Sequence, residues 1–322
     1  MGPISRRHAV DLKQLRALLT VSETRSVTRA AAVLNLVQPA VSRQLRLLEE
    51  EMGAPLFTRE RNGMELTDAG KVLAEHARRA LRELEQARAE IQSADVAVSG
   101  VVNLGLLPST CDLIAGPIAA RVRGEYPGIR LRVLTGYAGH LQQWLQAGDL
   151  DLALLYDRAP TSTLGIEPLL DESLYIVGLP DSGLAPGKPR RLSFLEGKPV
   201  ILPSAPHGIR ALVEHACAVH KVTLDVVAEA DAMNLQKTFV HHGIGYTILP
   251  GAAILADISR GLLAAAPLAP ALQRRVVSAW PARKRPTRAA GCVLEVMRLV
   301  VSDCVKRGNW AGAKLIAAVR RP

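Results

Sequence analysis

The stretch VTRAAAVLNLVQPAVSRQLRLLEEEMG, residues 27–53, constrains the fold more than any other part of the sequence. Its first third places Ala30, Ala31 and Leu34 at helical spacing, which predicts a short helix. A second helical pattern begins a few residues later, with Pro39 in its first turn, where the missing N–H of proline is not needed. A helix that stops after two turns and restarts at once, with alanines at the joint, predicts two short helices that cross closely at a steep angle.

The second helix, predicted from about Gln38 to Met52, has two different faces. At ~100° per residue, one narrow face is apolar and the opposite face carries a proline, a hydroxyl and two guanidinium groups. The apolar positions are Val41, Leu45, Leu48 and Met52, and the polar ones are Pro39, Ser42, Arg43 and Arg46. Arginine can bind a guanine edge, and glutamine can bind adenine in the major groove. The pattern predicts a DNA-reading helix-turn-helix, with an ordinary αα-hairpin in a helical core as the alternative.

The flanking residues favour the DNA-binding interpretation. Apolar residues at helical spacing precede the stretch, and they are Leu12, Leu15, Leu18 and Leu19. After the stretch, Gly53 ends the helix, and two short extended runs surround Asn62–Gly63, a strong hairpin signal. A helix, a helix-turn-helix and a hairpin together predict a winged arrangement, with Arg59 and Arg61 beside the tip of the hairpin.

Residues 11–70, from DLKQLRALL to ELTDAG, resemble the LysR-type transcriptional regulators in order, spacing and character. The resemblance implies a winged helix-turn-helix that binds an interrupted dyad in double-stranded promoter DNA. It implies DNA contacts at Thr28, Gln38, Pro39, Ser42, Arg43 and Arg46, with Arg61 in the wing. Arg29 joins this set because it lies in an acid-free basic patch between Glu23 and Glu49. The family usually has serine before the Gln-Pro pair; Val37 stands there and cannot cap the helix.

The next segment carries an apolar heptad stripe, which predicts a linker helix that pairs with a second subunit. The stripe runs through Leu66, Gly70, Leu73, Ala77, Ala80, Leu84, Ala87, Ile91 and Ala94. We assign dimerisation to Leu73, Ala77, Ala80, Leu84, Ala87 and Ile91. A surface helix lying on its own domain is the alternative. The LysR resemblance also implies paired linker helices, in a homodimer or a homotetramer.

From residue 100 onward, strands and helices alternate in two successive β-α-β-α-β rhythms, which predicts parallel sheets with helices on their faces. The expected fold is α/β: a winged helix-turn-helix (residues 1–68), a linker helix (69–96) and a regulatory domain (97–322). The resemblance implies a periplasmic-binding-protein-like effector domain with two subdomains. The first comprises about 97–172 and 276–322, and the second about 173–275. The segment GHLQQWLQAGDLDLALLYD resembles the nitrogen-assimilation-control branch of the family.

Hydroxyl groups stand at predicted helix starts, where free N–H groups attract anions. They are Ser109, Thr110 and Ser204, and His207 follows in the same turn as Ser204. The resemblance adds Tyr137, Met233 and Thr247 by position. For each residue the alternative is an N-cap or turn role. These residues predict a pocket for a small-molecule effector, an anionic or polar metabolite of carboxylate type.

The formal charge of +10 does not identify the DNA-binding part, because residues 271–322 carry 12 basic and 2 acidic residues. The segment ARKRPTR, residues 282–288, is predicted to be a solvated turn. The alternative hypothesis is a contact with flanking DNA or with an acidic partner such as RNA polymerase. A variant neutral at Arg283, Lys284 and Arg285 would remove that alternative if the salt dependence of its DNA affinity and its transcriptional activation were both unchanged.

The remaining signals argue against catalysis and membrane insertion. The sequence has no HExxH, GxSxG, Walker or GxGxxG motif, so neither an enzyme nor a cofactor site is expected. The histidines lack metal-ligand spacing, and the four cysteines are far apart, which fits a reducing cytoplasm. No stretch is apolar enough for a membrane span. The alternative function is a dimeric solute-binding module without a DNA role.

Overall fold

The computed structural model describes residues 10–61, 63–92, 98–157, 163–282 and 286–316. The chain divides into two compact units, Met1–Val96 and Ala97–Pro322. Arg283, Lys284 and Arg285, in the segment predicted to be a solvated turn, lie outside the described residues. None of the helices in the described ranges has the length and apolarity that crossing a bilayer requires.

The N-terminal unit has the expected order of helices and hairpin strands. Its elements are α1 (Leu12–Thr24), α2 (Val27–Leu34), α3 (Gln38–Met52), β1 (Phe57–Glu60), β2 (Gly63–Leu66) and α4 (Asp68–Gln92). Asp11 caps α1 in a capping box with Gln14, and the Ser26 hydroxyl caps α2. The predicted helix-turn-helix and hairpin are therefore both present.

The joint between α2 and α3 is close-packed, as its alanines predict. Ala30 and Ala31 are buried, and α3 turns its apolar side chains onto the same core. Asn35 adopts the left-handed conformation with φ +55°, which ends α2 and redirects the chain into α3. One apolar position was predicted wrongly. Met52 is 39% exposed because α3 ends at the next residue, Gly53, where the helix face no longer meets the core.

The hairpin is fixed at both ends to the helices. At its base, one Glu49 carboxylate oxygen accepts the backbone N–H of Leu56 at 2.7 Å and of Phe57 at 3.4 Å. At its tip, the N–H of Met64 donates to the Arg25 carbonyl at 3.0 Å. A Cβ atom on Gly63 would lie 2.4 Å from that carbonyl oxygen, so glycine is required for this approach.

Glu49→Ala is expected to destabilise the N-terminal unit by roughly 1–3 kcal/mol, because it leaves two backbone donors at the hairpin base without their charged acceptor. Thermal unfolding followed by circular dichroism measures the change. The neighbouring variant Glu50→Ala is the matched control, since Glu50 is exposed and makes only a 3.8 Å ion pair with Arg46. Equal stabilities of the two variants would contradict this account of the hairpin.

The long helix α4 uses the first part of its heptad stripe within its own unit. Ala77 is 1% exposed and Leu73 packs on the same core. Farther along, Ala80, Leu84 and Ala87 are exposed. The side chain of Ile91 lies outside the described residues. The exposed half of the predicted dimerisation stripe is therefore the half after Ala77.

In the C-terminal unit, helices and strands alternate as predicted. The elements are β3 (Ser99–Leu106), α5 (Pro108–Glu125), β4 (Gly128–Thr135), α6 (Ala138–Ala147), β5 (Leu152–Tyr156), β6 (Leu164–Gly178), a 3-10 helix (Leu192–Leu195), β7 (Pro199–Leu202), α7 (Gly208–His220), β8 (Asp225–Glu229), α8 (Met233–His241), β9 (Tyr246–Pro250), α9 (Gly251–Ser259), β10 (Ala264–Pro267), β11 (Gln273–Pro281), α10 (Arg288–Lys306) and β12 (Ala313–Leu315).

The strands of this unit are hydrogen-bonded in the order β4-β3-β5-β11-β6-β9-β7-β8. β3 is parallel to β4 and β5 in one half, and β7 is parallel to β8 and β9 in the other. The long strand β6 pairs antiparallel with β11 and with β9, so it belongs to both halves. The predicted return of the chain to the first half is strand β11, which pairs with β5. Two parallel halves joined by antiparallel strands confirm the α/β architecture.

A buried charged group holds the joining strands together. Glu172 of β6 is fully buried and accepts hydrogen bonds from Arg274 Nε of β11 at 2.6 Å and from Trp310 Nε1 at 3.0 Å. The Arg274 guanidinium lies 3.5 Å from the centroid of the Tyr156 ring. Two strands and the chain after α10 therefore meet at one carboxylate.

Candidate functional site

The polar face of α3 is exposed to solvent. The residues predicted to contact DNA are all exposed, and they are Thr28, Arg29, Gln38, Pro39, Ser42, Arg43, Arg46 and Arg61. The opposite face of α3 supplies Val41, Leu45 and Leu48 to the core. The helix is therefore held by one side and presents the other to solvent, which is the arrangement that groove insertion requires.

The exposed arginines of α2 and α3 are available to an external anion. In the described part of the chain, Arg29 and Arg43 make no ion pair. Arg46 Nε lies 3.8 Å from a Glu50 oxygen, with both side chains more than half exposed. Such a surface pair contributes less than about 1 kcal/mol, so a phosphate can displace the glutamate.

The N-terminus of α3 has no side-chain cap. Val37 is the N-cap residue, and no side chain accepts a hydrogen bond from the first turn. Free N–H groups and the helix dipole make such an end attractive to an anion. The start of α3 therefore suits a backbone phosphate as well as base edges.

A cavity of about 190 Å³ lies in the C-terminal unit. Its lining residues are Pro108, Ser109, Cys111, Asp112, Thr135, Tyr137, Ala232, Met233, Asn234, Lys237, Ala252 and Ala253. Most of them belong to the first turns of α5, α8 and α9, and Tyr137 is the N-cap residue of α6. The cavity is therefore built where several helices begin.

These helix starts also lack side-chain caps. The N-cap residues are Leu107, Tyr137, Ala232 and Pro250, and none makes a side-chain capping hydrogen bond. By contrast, α7 and α10, which do not start at the cavity, are capped by His207 and Thr287. Each of these four uncapped helix N-termini contributes partial positive charge from its free N–H groups, whereas Asp112 contributes a carboxylate to the same lining.

Three residues that the sequence assigned to the effector pocket lie together, since Ser109, Tyr137 and Met233 all line the cavity. Thr110 and Thr247 do not line it. The Thr110 hydroxyl is buried and donates to the Leu107 carbonyl, and the Thr247 hydroxyl is buried and donates to Gln236 Oε1. Helix α5 starts at Pro108, one residue earlier than expected, so neither Ser109 nor Thr110 is its N-cap residue. The predicted ligand contacts of the two threonines gain no support from this geometry.

Ser204 and His207 are engaged within the protein instead. The backbone N–H and the hydroxyl of Ser204 both donate to one Asp231 oxygen, at 2.9 and 2.6 Å, and the hydroxyl above all holds the pKa of Asp231 below its usual range. His207 Nδ1 accepts from the N–H of Ile209. The Tyr137 hydroxyl donates to the Asp231 carbonyl at 2.8 Å, and the Tyr137 ring meets the His207 ring edge-on. Tyr137 thus links the two halves beside the cavity.

Sequence reasoning missed the charged residues of the cavity wall, Asp112 and Lys237. Lys237 Nζ donates to Asp257 at 2.8 Å and to the Ala253 carbonyl at 3.2 Å, with both charged side chains mostly buried. Lys237 follows Met233 by one helical turn, a spacing that could have indicated a shared face. The pairing across 20 residues has no such local signal.

Ser109 connects the cavity to the buried charged group of the joining strands. Its hydroxyl lies 2.6 Å from the Tyr156 hydroxyl. Burial raises the pKa of the Tyr156 phenol, which moves its titration farther from neutral pH. The Tyr156 ring in turn stacks under Arg274, the partner of Glu172. A group that engages Ser109 therefore acts on a side chain in contact with β6 and β11.

Two family models match the chain. Residues 12–71 match the model described as "Bacterial regulatory helix-turn-helix protein, lysR family", and residues 97–301 match "LysR substrate binding domain". One match lies in each of the two units of the structure.

Relatives and solved structures agree with the family models. The nitrogen assimilation regulatory protein nac of Escherichia coli K12 is 30% identical over 305 residues, covering 94% of this chain and 99% of that protein. The same regulator of Klebsiella aerogenes is 33% identical over 245 residues, 76% of this chain and 79% of that protein. A full-length OxyR variant from Pseudomonas aeruginosa is similar with a TM-score of 0.69 at 22% identity, covering 91% of this chain and 95% of that chain.

A DNA complex is also among the similar structures. Full-length CbnR complexed with its target DNA has a TM-score of 0.68 at 19% identity, covering 91% of this chain and 99% of that chain. At such identities the two solved structures show the fold alone. The alternative of a solute-binding module without a DNA role gains no support from the relatives, which are transcriptional regulators.

Proposed function

The chain belongs to the LysR family of DNA-binding transcriptional regulators with an effector-binding domain, and on that premise we propose that a small anionic metabolite controls it. The metabolite binds in the cavity of the C-terminal unit and shifts the population of two subunit arrangements at a promoter. Carboxylate is the favoured ligand group, because the two oxygens of one carboxylate can accept hydrogen bonds from several backbone N–H groups at once.

The observation that carries the effector proposal is the convergence of uncapped helix N-termini on one cavity. The first turns of α5, α8 and α9 and the N-cap residue of α6 surround the same space. The charged side chains of the lining are Asp112 and Lys237, and Lys237 is already paired with Asp257. Backbone dipoles, rather than a free lysine or arginine, would therefore supply the attraction for an anion.

Thermal melting of the full chain with a panel of carboxylate metabolites, and with amines and sugars for comparison, tests this proposal. A ligand of the folded state raises the melting temperature in a saturable way. We expect at least one compound to do so and to change transcription from a promoter that the protein binds. A panel in which the amines and sugars stabilise the protein and no carboxylate does would contradict the anionic assignment.

Ser109→Ala is expected to weaken binding of such a compound by about 2–12-fold, the loss of one hydrogen bond of about 0.5–1.5 kcal/mol. Isothermal titration measures the dissociation constant. Ser259→Ala is the matched control, because its exposed hydroxyl bonds only the Ala256 carbonyl in the described structure and does not line the cavity. Equal affinities of both serine variants and the parent protein would remove Ser109 from the site.

We further propose that the eight exposed residues around α3 form the DNA interface and that pairs of α4 helices hold the dimer. The face of α3 supports the first proposal through its exposure and its arginines. The exposed positions Ala80, Leu84 and Ala87 support the second. A homodimer presents two copies of α3 to the two half-sites of an interrupted dyad. A homotetramer would follow from contacts between C-terminal units, and sedimentation of the full chain distinguishes the two states.

The remaining proposals rest on family membership. We propose a cytoplasmic location, where a transcriptional regulator meets promoter DNA, and contact with RNA polymerase when the protein activates. We propose a binding role without catalysis. The segment containing Arg283, Lys284 and Arg285 stays a candidate for the contact with polymerase or with flanking DNA. Transcription from a bound promoter is compared between the parent protein and a variant neutral at Arg283, Lys284 and Arg285, which tests the polymerase proposal.

A further inference from the structure

Large aliphatic side chains are exposed at the turn between α2 and α3. Val33 is 63% exposed, Leu36 is 41% exposed and Val37 is 68% exposed. The short helix α2 buries Ala30 and Ala31 instead. The three aliphatic side chains therefore contribute little to the core of their own unit. Adjacent exposed aliphatic side chains are typical of a surface that contacts another molecule.

Val37 holds a position where a polar side chain would stabilise the protein. It is the N-cap residue of α3, with an extended backbone at φ −86° and ψ 146°, and it makes no capping hydrogen bond. Serine or asparagine in this backbone conformation accepts a hydrogen bond from the first turn, whereas valine cannot. Val37 therefore stabilises the start of α3 neither by a capping hydrogen bond nor by burial, and its side chain is open to contact with another molecule.

The surface around Val37 is continuous with the proposed DNA interface. Val37 directly precedes Gln38, and the exposed Ser42 follows one turn later. Residues at the N-terminus of a recognition helix are the ones that reach base edges. Among the base edges of the major groove, the C5 methyl group of thymine is the apolar one. Duplex DNA is therefore the occupant that this position fits.

We propose that Val37 is a specificity-determining residue that contacts a thymine methyl group in each half-site. This inference rests on the proposed function, since it requires α3 to enter the major groove. The contact distinguishes thymine from cytosine at one position without a hydrogen bond. Burial of one methyl group strengthens a binding constant by about fourfold. Loss of the contact in both half-sites of a dimer therefore weakens DNA binding by about fifteenfold.

Replacement of thymine by deoxyuridine tests the proposal, because it removes the C5 methyl group and leaves the base pair intact. The full chain is titrated onto a bound promoter fragment in which each thymine is replaced in turn. The parent protein is expected to lose about fourfold in affinity at one thymine position of each half-site. Val37→Ser and Val37→Asn are expected to bind the thymine and deoxyuridine forms of those positions equally.

Val33→Ser is the matched control, because it removes an equally exposed valine from α2 and should keep the thymine preference. Circular dichroism checks that the Val37 variants fold, and a polar cap is expected to leave their melting temperature unchanged or higher. Identical deoxyuridine profiles for the parent and both Val37 variants would overturn the proposal while the DNA interface stands. Binding that no α3 substitution alters would overturn the interface itself.

Discussion

Replacement of Glu172 with alanine is expected to lower the free energy of unfolding of the C-terminal unit by about 3–5 kcal/mol. The carboxylate is fully buried and holds Arg274 at 2.6 Å and Trp310 at 3.0 Å. The Arg274 side chain is 10% exposed, so removal of its partner leaves a guanidinium charge in the interior without a counter-charge. Loss of one partner of a buried pair costs far more than the pair itself contributes, because the remaining charge stays desolvated.

Tryptophan fluorescence during denaturant unfolding measures this effect selectively, because Trp144, Trp280 and Trp310 all belong to the C-terminal unit. Glu214→Ala is the control. Glu214 is 56% exposed and its partner Arg210 keeps a second carboxylate, so we expect a change below about 1 kcal/mol. A Glu172→Ala protein as stable as the Glu214→Ala protein would show that the buried charge is not structurally important.

Arg43→Ala is expected to weaken binding to a specific site by about 1–3 kcal/mol per half-site, the contribution of one bidentate arginine–guanine contact. In a dimer the loss applies twice. Arg43 is exposed on the face of α3 opposite its buried residues and makes no ion pair within the described residues, so no internal partner offsets the loss. A phosphate contact would instead weaken all sequences alike and reduce the salt slope.

Titrations of a specific fragment and of a random fragment at two or more salt concentrations separate these outcomes. Arg130→Ala is the matched control, because it removes the same charge from an exposed position of the C-terminal unit. We expect the Arg130 variant to bind within about twofold of the parent, since a charge outside the interface contributes only through long-range attraction. An Arg43→Ala protein that keeps the parent affinity for the specific fragment would contradict the assignment of this side chain.

Local sequence patterns predicted the helices and the hairpin of the N-terminal unit, although not the exposure of Met52. The bounds of α3 follow from Pro39 at its start and Gly53 at its end, and its buried face follows from Val41, Leu45 and Leu48. The alternation of strands and helices in the C-terminal unit also follows from local patterns. In a parallel sheet the helices begin at the carboxyl ends of the strands, so the general location of the cavity follows as well.

The composition of the site could not be predicted in the same way. The pairing of Ser204 with Asp231 joins residues 27 apart, and the contact of Tyr137 with Asp231 joins residues 94 apart. The contact of Glu172 with Trp310 spans 138 residues. These contacts depend on tertiary packing, and no spacing rule within a helix or a strand encodes them. Ser204 therefore looked like a ligand group in the sequence, although its hydroxyl donates to Asp231 and the residue does not line the cavity.

Dimethyl sulfate probing of guanine N7 in a bound promoter fragment tests most directly whether the polar face of α3 enters the major groove, where N7 is exposed. We expect protection of guanines in two half-sites separated by about one helical turn or a multiple of it. We expect that protection to disappear when Ser42, Arg43 and Arg46 are all replaced by alanine. A fragment that the protein binds while every guanine N7 stays as reactive as in free DNA would contradict the account.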